Sequence, residues 1–105
     1  MIIIESKENS LFKNIKKLKE RKNRSKEKKY FIEGYRLVEE GFKAGADIEC
    51  LVIEEGNEQK ANEFLKEYLT VSKIYLMKKS LFGQLIATEN TQGVLAVVKM
   101  TDSTE

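Results

Sequence analysis

Residues 48–53 read Ile-Glu-Cys-Leu-Val-Ile, and residues 93–98 read Gly-Val-Leu-Ala-Val-Val. Both runs are mostly apolar and do not alternate with polar residues. Such runs are typical of strands that are covered on both faces by helices. They predict two buried strands of an α/β sheet.

Outward from these runs, strands and helices alternate along the chain. Two shorter strands are predicted at residues 30–32 and 74–76. Three helices separate the four strands: one ends near Gly45, one starts after Asn57, and a short one covers residues 81–86. Their apolar positions recur at helical spacing, namely Leu37, Val38, Phe42, Ala61, Phe64, Leu65, Tyr68, Leu69, Leu81, Phe82, Leu85 and Ile86.

An amphipathic helix is predicted ahead of the first strand. Ser10 is a suitable N-cap, and the helix runs to Glu20 with an apolar stripe and lysines on its other faces. The stripe consists of Leu11, Phe12, Ile15 and Leu18. Residues 21–29 are interpreted as a bare basic loop or a frayed helical turn, because residues 21–28 include no apolar side chain.

The resulting order after the first helix, βαβαβαβ, favours a three-layer α/β sandwich with right-handed crossovers. A chain of 105 residues fits one domain. Periodicity alone gives neither the order of the strands nor the direction of each one.

The charge of the chain is strongly polarised. Residues 13–29 contain ten of the nineteen lysines and arginines and only two acids, so this segment carries +8 while the rest carries −6. A positive segment joined to a mildly acidic domain favours a polyanionic partner, with RNA or DNA first. The alternatives are a solvated helix face, a membrane-surface helix, or a basic module that docks an acidic protein.

Several function classes are excluded by composition. The chain has no histidine and one cysteine, Cys50, so it has no Cys-His pair, histidine triad, disulfide or structural zinc site of its own. No phosphate-binding glycine motif is present. The pairs Glu39-Glu40 and Glu54-Glu55 are interpreted as solvated surface acids. No apolar run is long enough to span a membrane, and a reduced, cytoplasmic setting is the default expectation.

Four stretches of sequence together carry a family resemblance: Asn9 followed by Ile15-Lys16 and Leu18; residues 22–26 (Lys-Asn-Arg-Ser-Lys) with residues 31–34 (Phe-Ile-Glu-Gly); residues 37–41 with Gly45; and residues 88–97, Thr-Glu-Asn-Thr-Gln-Gly-Val-Leu-Ala-Val. In this order they resemble the N-terminal substrate-binding domain of the SpoU (TrmH-type) RNA ribose 2′-O-methyltransferases. The resemblance covers nearly the whole chain. The family often has proline directly before the Gln-Gly pair, where this chain has Thr91.

The resemblance implies an L30e-like α/β/α sandwich with a small mixed sheet after an N-terminal helix. Residues 1–100 would be the domain that binds ribosomal or transfer RNA. Residues 101–105 would be a tail or the start of a linker. In the family, a second domain with a knotted SPOUT fold binds S-adenosylmethionine, forms the homodimer and carries the catalytic residues. This chain alone is therefore expected to have no catalytic, cofactor or metal site. The other possibility is a free-standing L30e-like ribosomal or kink-turn binding protein.

The resemblance also suggests which side chains contact RNA. Arginine is favoured over lysine for fixed contacts because its guanidinium binds phosphate in a bidentate way. The predicted RNA-binding residues are Lys16, Lys22, Arg24, Lys26, Lys28, Arg36, Thr88 and Gln92. Tyr30 and Tyr35 are candidates for stacking on unpaired bases, with a core position as the alternative. Glu33 is expected to form a salt bridge with Arg24 or Arg36. Gly34 is expected to allow a tight turn, and Gly93 to allow a close approach of two backbone segments.

Overall fold

The computed structural model describes residues 1–70, 72–86 and 91–100. These residues form five strands and five helices. In chain order they are β1 (Ile2–Ile4), α1 (Ser10–Lys17), α2 (Arg21–Glu27), β2 (Lys29–Glu33), α3 (Tyr35–Lys43), β3 (Asp47–Glu54), α4 (Glu58–Leu69), β4 (Ile74–Met77), α5 (Lys79–Leu85) and β5 (Val94–Lys99).

The five strands form one mixed sheet in the order β1-β4-β3-β5-β2. Strands β1, β4 and β3 are mutually parallel, whereas β5 runs antiparallel to both β3 and β2. The two runs predicted to be buried strands are β3 and β5, which are neighbours in the sheet and pair along most of their length. Their position explains their composition, because each has strands on both edges and helices on both faces.

Two apolar layers flank the sheet and confirm the three-layer α/β sandwich. On one face, α1 and α5 pack on Cys50, Val52, Leu95 and Val97. On the other face, α3 and α4 pack on the alternate residues of the same strands, Leu51, Ile53, Val94 and Ala96. Successive side chains of a strand point to opposite faces, so each central strand serves both layers.

The first strand was not predicted from the sequence. Ile2–Ile4 pairs in parallel with Tyr75–Met77 at one edge of the sheet, so a strand and not a helix begins the fold. Ile4 is buried, while Ile2 and Ile3 are exposed. Three residues are too few for an alternating pattern, so only the partner strand identifies this segment as β.

Helix α1 confirms the predicted amphipathic helix but has different bounds. Its N-cap is Asn9, whose side-chain oxygen accepts the Phe12 N–H at 3.1 Å, so the prediction of Ser10 was off by one residue. It ends at Lys17 instead of Glu20. Phe12, Ile15 and Leu18 of the predicted stripe are buried between the helix and the sheet.

The burial of three residues differs from the prediction. Leu37 and Phe64 were assigned to core-facing stripes, yet they are 51% and 57% exposed. Phe64 lies at the helix surface, with its ring 5.2 Å from that of Tyr35. Glu54 was interpreted as a solvated acid, but it is 6% exposed and accepts a hydrogen bond from the Asn57 side chain at 3.1 Å. No helix among the described residues is both long and apolar enough to cross a membrane.

Candidate functional site

The basic segment that follows α1, predicted as a bare loop or a frayed helical turn, is a helix of seven residues. Helix α2 contains no buried residue, and its C-cap, Lys28, has the left-handed conformation with a φ of 59°. Sequence periodicity misses such a helix because it has no apolar stripe to detect. Its backbone is instead joined to the preceding turn, where the Asn23 and Arg24 N–H groups donate to the Glu20 carbonyl.

Arg24 anchors this helix to the end of α1. Its Nη1 atom donates to the Leu18 carbonyl at 2.9 Å and to the Lys19 carbonyl at 3.1 Å. These carbonyls belong to the turn after the last residues of α1, where backbone acceptors lack a helical partner. Arg24 therefore has a structural role, whatever it also contributes to binding.

Replacing Arg24 by lysine should lower the free energy of unfolding by about 1–2 kcal/mol, because hydrogen bonds from a charged donor contribute this much when partly shielded from water. Lysine keeps the charge, but its side chain is shorter and its ammonium is more strongly hydrated than a guanidinium. Urea denaturation measures the effect. Lys22→Arg, at a neighbouring exposed position, is the control and should change stability by less than about 0.5 kcal/mol. Equal stability of the two variants would contradict the anchoring role.

Lys22, Lys26 and Lys28 present their charges to solvent. Lys22 lies 4.0 Å from Glu20 with 80% of its side chain exposed, which is a weak interaction at most. Among the described residues, Lys26 and Lys28 have no carboxylate within 4.0 Å. The adjacent Lys29 differs, because its Nζ is 2.7 Å from Glu49. Helix α2 and its C-cap thus carry exposed positive charge that no close carboxylate of the described residues neutralises.

Lys16 lies apart from these three lysines, on α1 and towards α5. Its Nζ donates to Gln84 Oε1 at 3.3 Å and lies 5.8 Å from the centre of the Phe12 ring. The neighbouring Lys19 donates to the Gln84 carbonyl at 3.0 Å. Both residues link α1 to α5, and a role for Lys16 in RNA contact stays a prediction.

Arg36 and Gln92 lie at the other end of β2 from α2. Strand β2 has five residues, so about 13 Å of extended chain separates its two ends. Gln92 Oε1 accepts the Tyr35 N–H at 2.9 Å and so caps α3, while Arg36 pairs with Glu40 at 3.3 Å. The predicted RNA-binding residues of the basic segment and those near the start of α3 therefore lie at opposite ends of β2.

Glu33 does not form the expected salt bridge. Its Oε2 accepts hydrogen bonds from the Thr91 hydroxyl at 3.3 Å and from the Gln92 N–H at 3.2 Å. These bonds join the end of β2 to the segment before β5 and hold Gln92 over α3. Gly34 has a φ of +102° at this point, which fits the predicted tight turn. Thr88, the remaining predicted contact, lies outside the described residues.

A groove opens beside α2, at the end of the sheet where β2 begins and β5 ends. It encloses about 530 Å³, and a second depression of about 400 Å³ adjoins it with Tyr30 and Met100 common to both. Its lining combines apolar and cationic side chains: Leu18, Lys19, Arg24, Tyr30, Phe31, Leu85 and Met100. Sequence reasoning missed the groove because its lining comes from segments far apart in the chain.

The two predicted stacking tyrosines have different environments. Tyr30 is half-buried in the groove wall. Tyr35 is 6% exposed, and its hydroxyl has no hydrogen-bond partner among the residues that the structure describes. Burial, with a smaller contribution from Glu54, raises the pKa of Tyr35. Tyr35 is therefore a core residue, and Tyr30 is the tyrosine of the pair that a ligand can reach.

Cys50 is the one cysteine of the chain, and its surroundings are apolar. The Cys50 thiol is buried in the sheet, and burial raises its pKa to about 11. A thiol in such surroundings is a poor nucleophile at neutral pH. Within residues 1–70, 72–86 and 91–100, no three histidine, cysteine or acidic side chains are grouped to hold a metal ion. The arrangement is suited to binding an anion at an exposed basic surface.

Comparison with known proteins identifies the class to which this fold and surface belong. Residues 9–96 match the family described as the MRM3-like substrate binding domain, and the chain belongs to that family. The resemblance to the substrate-binding domain of SpoU-type RNA methyltransferases is thereby confirmed. The match favours this class over a free-standing L30e-like protein or a basic protein-interaction module.

Solved structures give the same fold. The chain is similar to an RNA 2′-O ribose methyltransferase, with 27% identity and a TM-score of 0.80 over 98% of this chain and 39% of that one. An rRNA methyltransferase from Sinorhizobium meliloti has 19% sequence identity and a TM-score of 0.76, over 96% of this chain and 38% of that one. The SpoU methyltransferase AviRb from Streptomyces viridochromogenes, solved with AdoMet, has 20% sequence identity and a TM-score of 0.70, over 89% of this chain and 34% of that one. No curated protein matches the sequence. This chain thus spans about two fifths of the length of the structures it resembles.

Proposed function

We propose that this chain is the RNA-binding domain of a longer 2′-O-ribose methyltransferase and presents ribosomal or transfer RNA to a separate catalytic domain. The observation that carries this proposal is the exposed cationic surface of α2, which buries no side chain and exposes Lys22, Lys26 and Lys28. Phosphate contacts supply most of the affinity of proteins for nucleic acids. A helix of this kind suits such contacts.

The other parts of the activity are assigned to the separate domain. That domain would bind S-adenosylmethionine, carry the catalytic residues and form a homodimer, as the resemblance implies. The support is that relatives of this fold include methyltransferases solved with AdoMet. In this proposal residues 1–100 form the RNA-binding domain, residues 101–105 begin a linker, and the whole protein works in the cytoplasm.

The dependence of RNA binding on salt tests the proposal. If four cations contact phosphates, log K should fall with log salt at a slope of about −3, which is about a fiftyfold loss between 50 and 200 mM salt. Fluorescence anisotropy with a labelled ribosomal RNA hairpin measures the slope. Polyglutamate of equal charge is the control competitor and should not displace the RNA. Binding without salt dependence, or efficient displacement by polyglutamate, would favour a protein partner instead.

The catalytic part of the proposal has a separate genetic test. The reading frame that contains this chain should continue beyond Glu105 into a methyltransferase domain. A continuation into an unrelated domain would remove the assignment to methylation and leave RNA binding to be judged on its own.

A further inference from the structure

The groove beside α2 combines a flat aromatic side chain, a fixed guanidinium and an apolar floor. Tyr30 is held in place by the pairing of β2 with β5, where it lies opposite Val98. Arg24 is fixed by its two bonds to carbonyl oxygens. Leu18, Phe31 and Leu85 contribute the apolar lining. Arg24 and the backbone of Tyr30 are therefore held in place by contacts within the protein itself.

Met100 contributes a partly exposed apolar side chain to the lining of the groove. Its side chain is 39% exposed, and its N–H donates to the Lys28 carbonyl at 2.9 Å. This bond ties the apolar mouth of the groove directly to the C-cap of the cationic helix. An occupant would therefore meet an apolar, aromatic wall and positive charge within a few ångströms.

We propose that this groove takes an unpaired base of RNA, stacked on Tyr30, while the flanking phosphates lie against Lys22, Lys26 and Lys28. The inference rests on the function proposed above and makes it more specific, because it names single-stranded or looped RNA as the preferred ligand. Aromatic side chains and arginine guanidinium planes stack on bases that are not already stacked in a duplex. Bases in an intact duplex do not present their faces to such a groove.

Charge complementarity selects RNA over the other possible occupants. A neutral apolar peptide could cover Met100 but would offer no negative charge to Lys19 or to the α2 lysines. An anionic lipid surface matches the charge and the exposed Met100, but a flat surface does not enter a groove. A nucleotide offers both a flat apolar face and a phosphate.

The test compares two RNA probes on the 105-residue chain. The probes are a short single-stranded oligouridine and a duplex with the same number of phosphates, both at 100 mM salt. The single strand should bind more tightly. Tyr30→Leu should weaken single-strand binding about tenfold, as expected for the loss of one stacked base, and leave duplex binding unchanged. Phe64→Leu, at an exposed aromatic on α4, should change neither.

A second measurement keeps the test valid if Tyr30→Leu disturbs the fold. Oligouridine should shift the NMR methyl signal of Met100, while the signal of the buried Met77 stays in place. Met100→Glu, at an exposed position, should abolish this preference for the single strand. If oligouridine binds but leaves the Met100 signal unshifted, the groove is not the base site.

The outcomes separate this inference from the proposed function. Equal binding of both probes, with Tyr30→Leu affecting neither, overturns the base site but leaves RNA binding intact. No binding of either probe overturns both. If phosphatidylglycerol vesicles shift the NMR methyl signal of Met100 and oligouridine does not, the occupant is a membrane surface, and the inference is overturned.

Discussion

Replacing Lys22, Lys26 and Lys28 together by glutamate should weaken RNA binding at least a hundredfold at 100 mM salt. Each phosphate contact contributes about 0.7–0.9 to the salt slope, which corresponds to about five- to eightfold in affinity at this salt concentration. Three lost contacts multiply to more than a hundredfold, and the new negative charges add repulsion. The salt slope should become shallower by about 2–3. Anisotropy titrations at several salt concentrations measure both quantities.

The matched control changes the same amount of charge elsewhere on the surface. Lys7, Lys66 and Lys79 are exposed and lie outside α2. Their replacement by glutamate lowers the net charge equally, but exposed charges act weakly beyond about 10 Å at 100 mM salt. We expect less than a fivefold loss of affinity. An equal loss in the two triple variants would show that overall charge, and not the surface of α2, determines binding.

The same experiment distinguishes binding from folding. Helix α2 buries no side chain, and its three substituted lysines form no close ion pair in the described part of the chain. The unfolding free energy should therefore change by less than about 1 kcal/mol in each triple variant. Arg24 is left unchanged because replacing it would remove its hydrogen bonds to the Leu18 and Lys19 carbonyls. The resulting loss of stability could not be separated from a loss of binding.

The sequence predicted those parts of the fold that local pattern determines. The runs at residues 48–53 and 93–98 became β3 and most of β5 because full burial on both faces requires nearly continuous apolar sequence. Strand β1 was missed because three isoleucines become a strand only through pairing with β4. Helix α2 was missed because its seven residues lack an apolar side chain. In both cases the deciding interactions come from outside the segment.

The candidate site was predictable in its charge but not in its geometry. The excess of cations in residues 13–29 is visible in the sequence. That Arg36 and Gln92 lie at the opposite end of β2 follows only from the direction in which this strand runs. The groove was not predictable, because Leu85 and Met100 reach it through the packing of α5 and the antiparallel pairing of β5.

Replacing Gly93 by alanine should destabilise the domain by about 2–4 kcal/mol and lower its Tm by about 15 °C. Gly93 has a φ of +78°, which costs an L-residue about 1 kcal/mol. A Cβ atom there would also lie 2.5 Å from Cγ and Nδ2 of Asn57. That amide cannot move freely, because it donates to the buried Glu54 carboxylate. Displacing it would leave a buried acceptor without its partner, at a further cost of about 1–3 kcal/mol.

Gly45 separates the two contributions. Its φ of +76° matches that of Gly93, but a Cβ atom there would meet nothing within 4 Å. Gly45→Ala should therefore lower the free energy of unfolding only by the cost of a positive φ in an L-residue, about 1 kcal/mol. The contact itself is isolated by a double-mutant cycle with Asn57→Ala, measured by urea denaturation. Once the Asn57 amide is absent, Gly93→Ala should cost no more than Gly45→Ala. Additive effects of the two substitutions would show instead that the strain at Gly93 comes from its backbone alone and that the close approach to Asn57 has no energetic consequence.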